Sequence, residues 1–172
     1  TTASATRSQR LGMNEHVTPP KHLISTLTPP GDKSISHRSA LLNSLAHGTA
    51  HVSNFCVGDD RASMLRCLRG LGIRIRKHDN CSVSQAKECF EIHGNGPEGF
   101  KEPTTVLNAG NSGTTLRLVS GLLAAQPFFT VITGDSSLRS RPMDRIIDPL
   151  SRMGARIQGR DGNSKAPLAI RG

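Results

Sequence analysis

The chain has 172 residues, 35% of them apolar, and a formal net charge of +9. That length suits one domain burying roughly 70% of its unfolded surface, and no apolar run approaches the roughly 20 residues of a membrane-spanning helix. The basic balance asks for an anionic partner. With no Trp or Tyr, five Phe and no Lys/Arg block, stacking platforms and a phosphate-backbone stripe are poorly supported, so discrete anion pockets fit better than nucleic acid. Cys56, Cys67, Cys81 and Cys89 form no CxxC pair, lack zinc-ligand spacing and read as buried or idle thiols in a reducing compartment. No metal site is expected; His47 and His51 are four apart but Gly48 lies between them.

Residues 1–16 read as a disordered leader. Their first twelve are Ser/Thr/Arg-rich without an acid, resembling a transit peptide, and lack the apolar stretch of a secretory signal. A crossing segment follows over 17–28, with a strand expected near 22–28 or 104–107. Over 35–46, Ile35, Leu41, Leu42 and Leu45 predict a helix stopped by Gly48. HVSNFCV (51–57) predicts a strand, and Asp59 or Asp60 a cap for a helix whose Met64, Leu65 and Leu68 share a face. Gly70 and Gly72 end that helix; IRIRK (73–77) and CFEIHG (89–94) predict strands, with loops over 78–88 and 94–103. Further helices are expected near 112–125 and 142–153, and strands near 128–133, 155–158 and 166–170. Pro142 suits a first helical turn, Pro149 predicts a kink or break, and GRDGNSK (159–165) predicts a hairpin turn.

The order repeats. Arg38 to Arg117 is 79 residues, Gly58 to Gly134 is 76, and Gly72 to Gly154 is 82. Two units, 29–103 and 104–172, are therefore expected to form one partial substrate-binding domain of α/β class (α+β in some schemes), each reading strand–helix–strand–helix–strand–strand.

Three polar runs carry the chemistry. In PGDKSISHR, Lys33 is a compact charge at a helix start, Ser34 a hydroxyl donor, and Arg38, four residues on, a fork for carboxylate or phosphate. The GxxxxGK[ST] spacing of a P-loop is absent, and a capped helix with solvated Lys and Arg fits the same residues. NAGNSGTTLR places Asn111, Gly113, Thr114 and Arg117 at a second helix start, where Gly113 permits close approach of a ligand; a flexible capped turn is the alternative. GDSSLRSRP sets Arg139 and Arg141 before Pro142, as a third anion-binding entrance or as solvated loop arginines. Several charge-assisted hydrogen bonds, each contributing about 1.5–3 kcal/mol, would hold a substrate pair carrying several negative charges.

PGDKSISHR, LNAGNSGTTLRL and GDSSLRSRPM, in this order and spacing, resemble three signatures of the EPSP (5-enolpyruvylshikimate-3-phosphate) synthase family from about residue 17 onward. The resemblance implies a fold of six such units, three in each of two domains. It also implies transfer of the enolpyruvyl group of phosphoenolpyruvate (PEP) to the 5-hydroxyl of shikimate 3-phosphate through a tetrahedral intermediate, with loss of phosphate and no metal or organic cofactor. By motif, Lys33 would be catalytic and contact both substrates. Ser34, Arg38 and Thr114 would hold shikimate 3-phosphate, Asn111, Gly113 and Arg141 would hold PEP, and Arg117 would brace the loop. The related transferase acting on UDP-N-acetylglucosamine is a weaker match, since it carries an Ala-Lys-Asn run in place of DKSxSxR.

Members of that family are more than twice this length, so the resemblance implies an N-terminal portion. It would be inactive until a complementary C-terminal portion supplies the other side of the site. A non-catalytic phospholigand-binding module on the same fold is the alternative. A cytoplasmic location is expected, a plastid being compatible, with neither membrane nor nucleic acid as partner.

Overall fold

A computed structural model describes residues 18, 22, 24–27, 29–81, 86 and 88–172. The leader lies outside the described residues, as does much of the crossing segment; residues 24–27 carry no regular structure.

The first half consists of α1 (Lys33–Leu45), β1 (His47–Ser53), α2 (Asp59–Gly70), β2 (Arg74–Asp79) and β3 (Glu88–Asn95). Its sheet has the order β1-β3-β2, antiparallel throughout. The second half consists of β4 (Leu107–Asn108), α3 (Gly113–Leu123), β5 (Phe129–Thr133), α4 (Ser136–Ser140), α5 (Asp144–Arg152), β6 (Arg156–Gly159) and β7 (Lys165–Arg171). Its sheet has the order β4-β5-β7-β6, with β4 parallel to β5 and the other pairs antiparallel. The orders β1-β3-β2 and β5-β7-β6 match: first strand, last strand, middle strand. The α/β class read from the alternation of patterns is the class observed.

Helices α1, α2 and α3 pack on one another, and one continuous core runs under both sheets. Met64, Leu68 and Leu71 meet Ile92, Leu116, Ile132 and Leu168 within that core, all fully buried. Among the described residues no helix is long and apolar enough to cross a membrane.

Several local expectations are corrected. The first strand is β1 at 47–53, four residues earlier than the β-branched run suggested, because α1 ends at Leu45 and Gly48 (φ 101°) enters the strand opposite Gly94. Asn54 (φ 50°) then turns the chain out of the sheet. The buried face of α1 is Ser36, His37, Ala40, Leu41 and Ser44, while Ile35 and Leu42 are exposed. Its serines are satisfied internally. Ser36 Oγ donates to the Asp32 carbonyl (2.7 Å) and accepts from Cys56 N (2.9 Å), and Ser44 Oγ donates to the Ala40 carbonyl (2.7 Å).

Helix α2 is capped by Gly58 without a side-chain bond, and Asp59 and Asp60 occupy its first turn. Helix α5 begins at Asp144, after Pro142 has bridged to Lys165. It continues through Pro149 unbroken; Pro149 and Arg145 are both exposed, so water can satisfy the carbonyl that proline leaves without a donor. The β6–β7 hairpin closes through a turn, Arg160–Asn163, with positive φ at Asp161, Gly162 and Asn163. Cys81 and Cys89, expected as thiols, are joined as a disulfide with Cα atoms 5.4 Å apart, since antiparallel pairing of β2 with β3 sets Cys89 opposite His78 and so beside the end of β2. Cys56 and Cys67 are free and buried.

Candidate functional site

Lys33 is the first residue of α1, and Asp32 before it caps the helix, its carboxylate accepting from Ile35 N at 2.7 Å. The Lys33 side chain is half exposed and its ammonium is ion-paired with Asp60 in the first turn of α2. Burial opposes ionisation of Asp60. The hydrogen bond and charge of Lys33, the Ser112 hydroxyl and the nearby His37 outweigh it, and the carboxyl sits below its usual range. Ser112 is buried and also caps α3, accepting from Thr115 N at 3.2 Å. Asp60 therefore joins the entrances of α1 and α3.

From there the contacts continue. Asn111 donates from Nδ2 to Asp135 Oδ2 (2.7 Å) and accepts at Oδ1 from Arg141 Nη2 (2.5 Å). Asp135 caps α4 by accepting from Leu138 N at 2.7 Å; that bond first, and Asn111 next, hold its carboxyl below the usual range. Arg117 donates to the Pro142 carbonyl at 3.1 Å. Gly113 lies under both arginines: a Cβ built on it would be 2.7 Å from Arg117 Nη1 and 3.3 Å from Arg141 Nη1. Two guanidiniums thus face the backbone at the start of an eleven-residue helix, an arrangement suited to a phosphate or carboxylate.

The structure groups Asn111, Gly113, Arg117 and Arg141 directly, and links Lys33 to them through Asp60 and Ser112. Ser34 and Arg38 are exposed on α1 and Thr114 is half-buried on α3; none of the three side chains has a hydrogen-bond partner among the described residues. The helix entrances do not all present free N–H groups, because Asp32, Ser112 and Asp135 each take one. Two of those caps are anionic and offset the positive helix end; the cap of α3 is neutral, which favours an anion there. Sequence reasoning passed over Asp60 as a site residue and took it for a cap. The recurring Gly-Asp pair of the two units, Gly58-Asp59 and Gly134-Asp135, marks Asp60's neighbour and not Asp60 itself.

The EPSP synthase (3-phosphoshikimate 1-carboxyvinyltransferase) family model matches residues 17–172. The chain is 52% identical over 156 residues to the 3-phosphoshikimate 1-carboxyvinyltransferase of Chloroflexus aurantiacus, covering 91% of this chain and 34% of that protein. It is 50% identical over 160 residues to that of Pelotomaculum thermopropionicum, covering 93% and 36%. Among solved structures, EPSP synthase from Acinetobacter baumannii superposes with a TM-score of 0.76 at 44% identity, over 85% of this chain and 31% of that one. The chain thus spans about a third of the length of the relatives it matches. On the family match across residues 17–172 and these identities, the chain belongs to the EPSP synthase family.

Proposed function

We propose that this chain supplies the N-terminal side of a site that transfers the enolpyruvyl group from PEP to the 5-hydroxyl of shikimate 3-phosphate, releasing phosphate. The observation that carries the reading is the pair of guanidiniums, Arg117 and Arg141, over Gly113, with Lys33 tied to the same loop through Asp60 and Ser112.

In this reading Arg141 and the Gly113 backbone hold PEP, with Asn111 fixing the guanidinium from below. Ser34, Arg38 and Thr114, whose side chains are uncommitted among the described residues, take shikimate 3-phosphate. Lys33 exchanges Asp60 for the reacting substrates. There it stabilises the charge that develops as the hydroxyl oxygen bonds to C2 of PEP and C3 takes up a proton, and it assists proton transfer around the tetrahedral intermediate before phosphate leaves. Arg117, anchored on the Pro142 carbonyl, braces the loop. No cofactor enters, and the setting proposed is cytoplasmic.

The other side of the site would come from a complementary C-terminal portion. An apolar cavity of about 840 Å³ between α1 and α3, lined by Leu41, Leu45, Phe100, Leu118, Leu122 and Phe128, supports such a partner by offering apolar surface to cover.

The test is a coupled phosphate-release assay with and without that portion. Release that depends on shikimate 3-phosphate is expected only with both pieces, and Lys33→Ala or Arg141→Ala should lower it by about a hundredfold or more. Tight binding of shikimate 3-phosphate with no turnover after assembly would instead establish a binding module.

A further inference from the structure

The third polar run carries two arginines, and the structure sends them to different places. Arg141 turns to Asn111 and Gly113. Arg139, two residues earlier in α4, faces a separate cavity of about 410 Å³ lined by Ser136, Arg139, Ser140, Arg160 and Pro167. The proposed transfer uses none of these five residues.

Arg139 and Arg160 both line the cavity, and neither Asp nor Glu does. Arg160 is held in place, donating from Nη2 to the Arg139 carbonyl (3.0 Å) and from Nε to the Ala166 carbonyl (3.4 Å). A guanidinium has five N–H donors, so Arg160 keeps donors to spare. Arg139 has no side-chain partner among the described residues. Of the nearest acids along the chain, Asp135 is committed elsewhere, and Asp161 is paired with Lys165 while also feeling the charge of Arg160. Asp135 binds Asn111 and Leu138 N, and Asp161 pairs with Lys165 at 2.6 Å. Two like charges sharing one hollow repel each other until an anion enters between them. Ser136 and Ser140 lie one helical turn apart on the same side of α4 and add hydroxyls, the Ser140 hydroxyl already donating to the Ser137 carbonyl at 2.8 Å.

We infer that this cavity is a second anion site, which takes the phosphate group of a small phosphomonoester between Arg139 and Arg160, with Ser136 as a hydroxyl donor. Planar guanidinium forks match phosphate oxygens in pairs. The hollow is of a size that holds a small organic ligand, which favours a monoester over the bare ion. The site is distinct from the Gly113 loop and does not depend on the proposed transfer.

The experiment follows the arginine Nε–Hε resonances of the 172-residue chain by NMR during titration with glycerol 3-phosphate, inorganic phosphate and acetate in separate arms. Saturable shifts of Arg139 and Arg160 are expected with glycerol 3-phosphate, with weaker binding of phosphate and none of acetate. Arg139→Gln removes a side chain with no partner among the described residues, so the fold is not at stake, and it should weaken the monoester about tenfold. Lys33→Ala and Arg141→Ala should leave these shifts in place, so failure of the transfer reading and failure of this one are separable. The inference is overturned if Arg139 and Arg160 do not shift saturably, if Arg139→Gln changes affinity by less than about twofold, if acetate binds as well as the monoester, or if Arg141→Ala abolishes the shifts.

Discussion

Lys33 and Asp60 sit in the first turns of two different helices, and their ion pair ties α1 to α2 beside the buried Ser112 that starts α3. Because the Asp60 carboxyl ionises more readily in the folded chain than in the unfolded one, its contribution to stability is complete above the unfolded value of about 3.9 and fades as pH falls through the lower folded value. Asp60→Asn should cost about 1 kcal/mol or less at pH 7, since both side chains are partly solvated. Urea midpoints measured from pH 2 to 7 should show that difference shrinking below about pH 4.

Gly113→Ala places a methyl 2.7 Å from Arg117 Nη1 and 3.3 Å from Arg141 Nη1. Both are ends of flexible side chains, so the guanidiniums move and the helix stays. The thermal midpoint should change by only a few degrees, while affinity for PEP, read by calorimetry on the assembled protein, falls about tenfold or more, equivalent to one charge-assisted hydrogen bond. A large loss of stability with unchanged affinity would count against the arrangement.

His37 is fully buried, and its Nδ1 lies 2.7 Å from the Lys33 carbonyl. A carbonyl oxygen only accepts, so Nδ1 carries the proton and Nε2, which has no partner among the described residues, is left without one in the neutral ring. Long-range ¹H–¹⁵N spectra near pH 7.5 should show the Nδ1–H tautomer. Detection of the Nε2–H form would overturn this assignment.

Burial pushes the Cys67 thiol up to about 11, with Arg66 opposing weakly. A thiolate-specific reagent at pH 8 should leave Cys67 unmodified in the native chain and label it after unfolding, as quantified by peptide mass spectrometry.

Much of the framework was legible because burial and periodicity agree. IRIRK alternates as β2 does, the extended run CFEIHG lies within β3, and Met64, Leu65 and Leu68 bury the face of α2 that their spacing implied. The spacing of Ile35, Leu41, Leu42 and Leu45 marked α1 as a helix but did not show its inward face, which is small and polar. Ser36 and Ser44 are buried because their hydroxyls find partners, and His37 is buried with its Nδ1 held by the Lys33 carbonyl; apolarity does not reveal any of the three. Strand β1 was displaced because β propensity marks residues that fit a sheet, whereas its position is set by pairing with β3. In the site, the three runs stood out by charge and glycine content. The link between them did not, since Asp60 meets Lys33 across 27 residues of chain and only the packing of α1 on α2 brings the two together.

Gly31 shows where a motif glycine serves its own backbone. A Cβ at that position would overlap the Asn54 carbonyl and crowd Cys56 N, on the segment that leads from β1 into α2. These obstacles are main chain and cannot rotate away, unlike the guanidiniums over Gly113. The same segment receives Ser36 Oγ at Cys56 N, so displacing it strains the buried face of α1 and draws Asp60 away from Lys33. Gly31→Ala should therefore destabilise the chain by about 1–3 kcal/mol, as overpacking does. In that background Asp60→Asn should then cost much less stability than it does in the parent chain. Double-mutant cycles of Gly31→Ala with Asp60→Asn in urea measure both quantities. Strict additivity would mean that the entrance of α1 and the ion pair are independent, and the steric account of Gly31 would then fail.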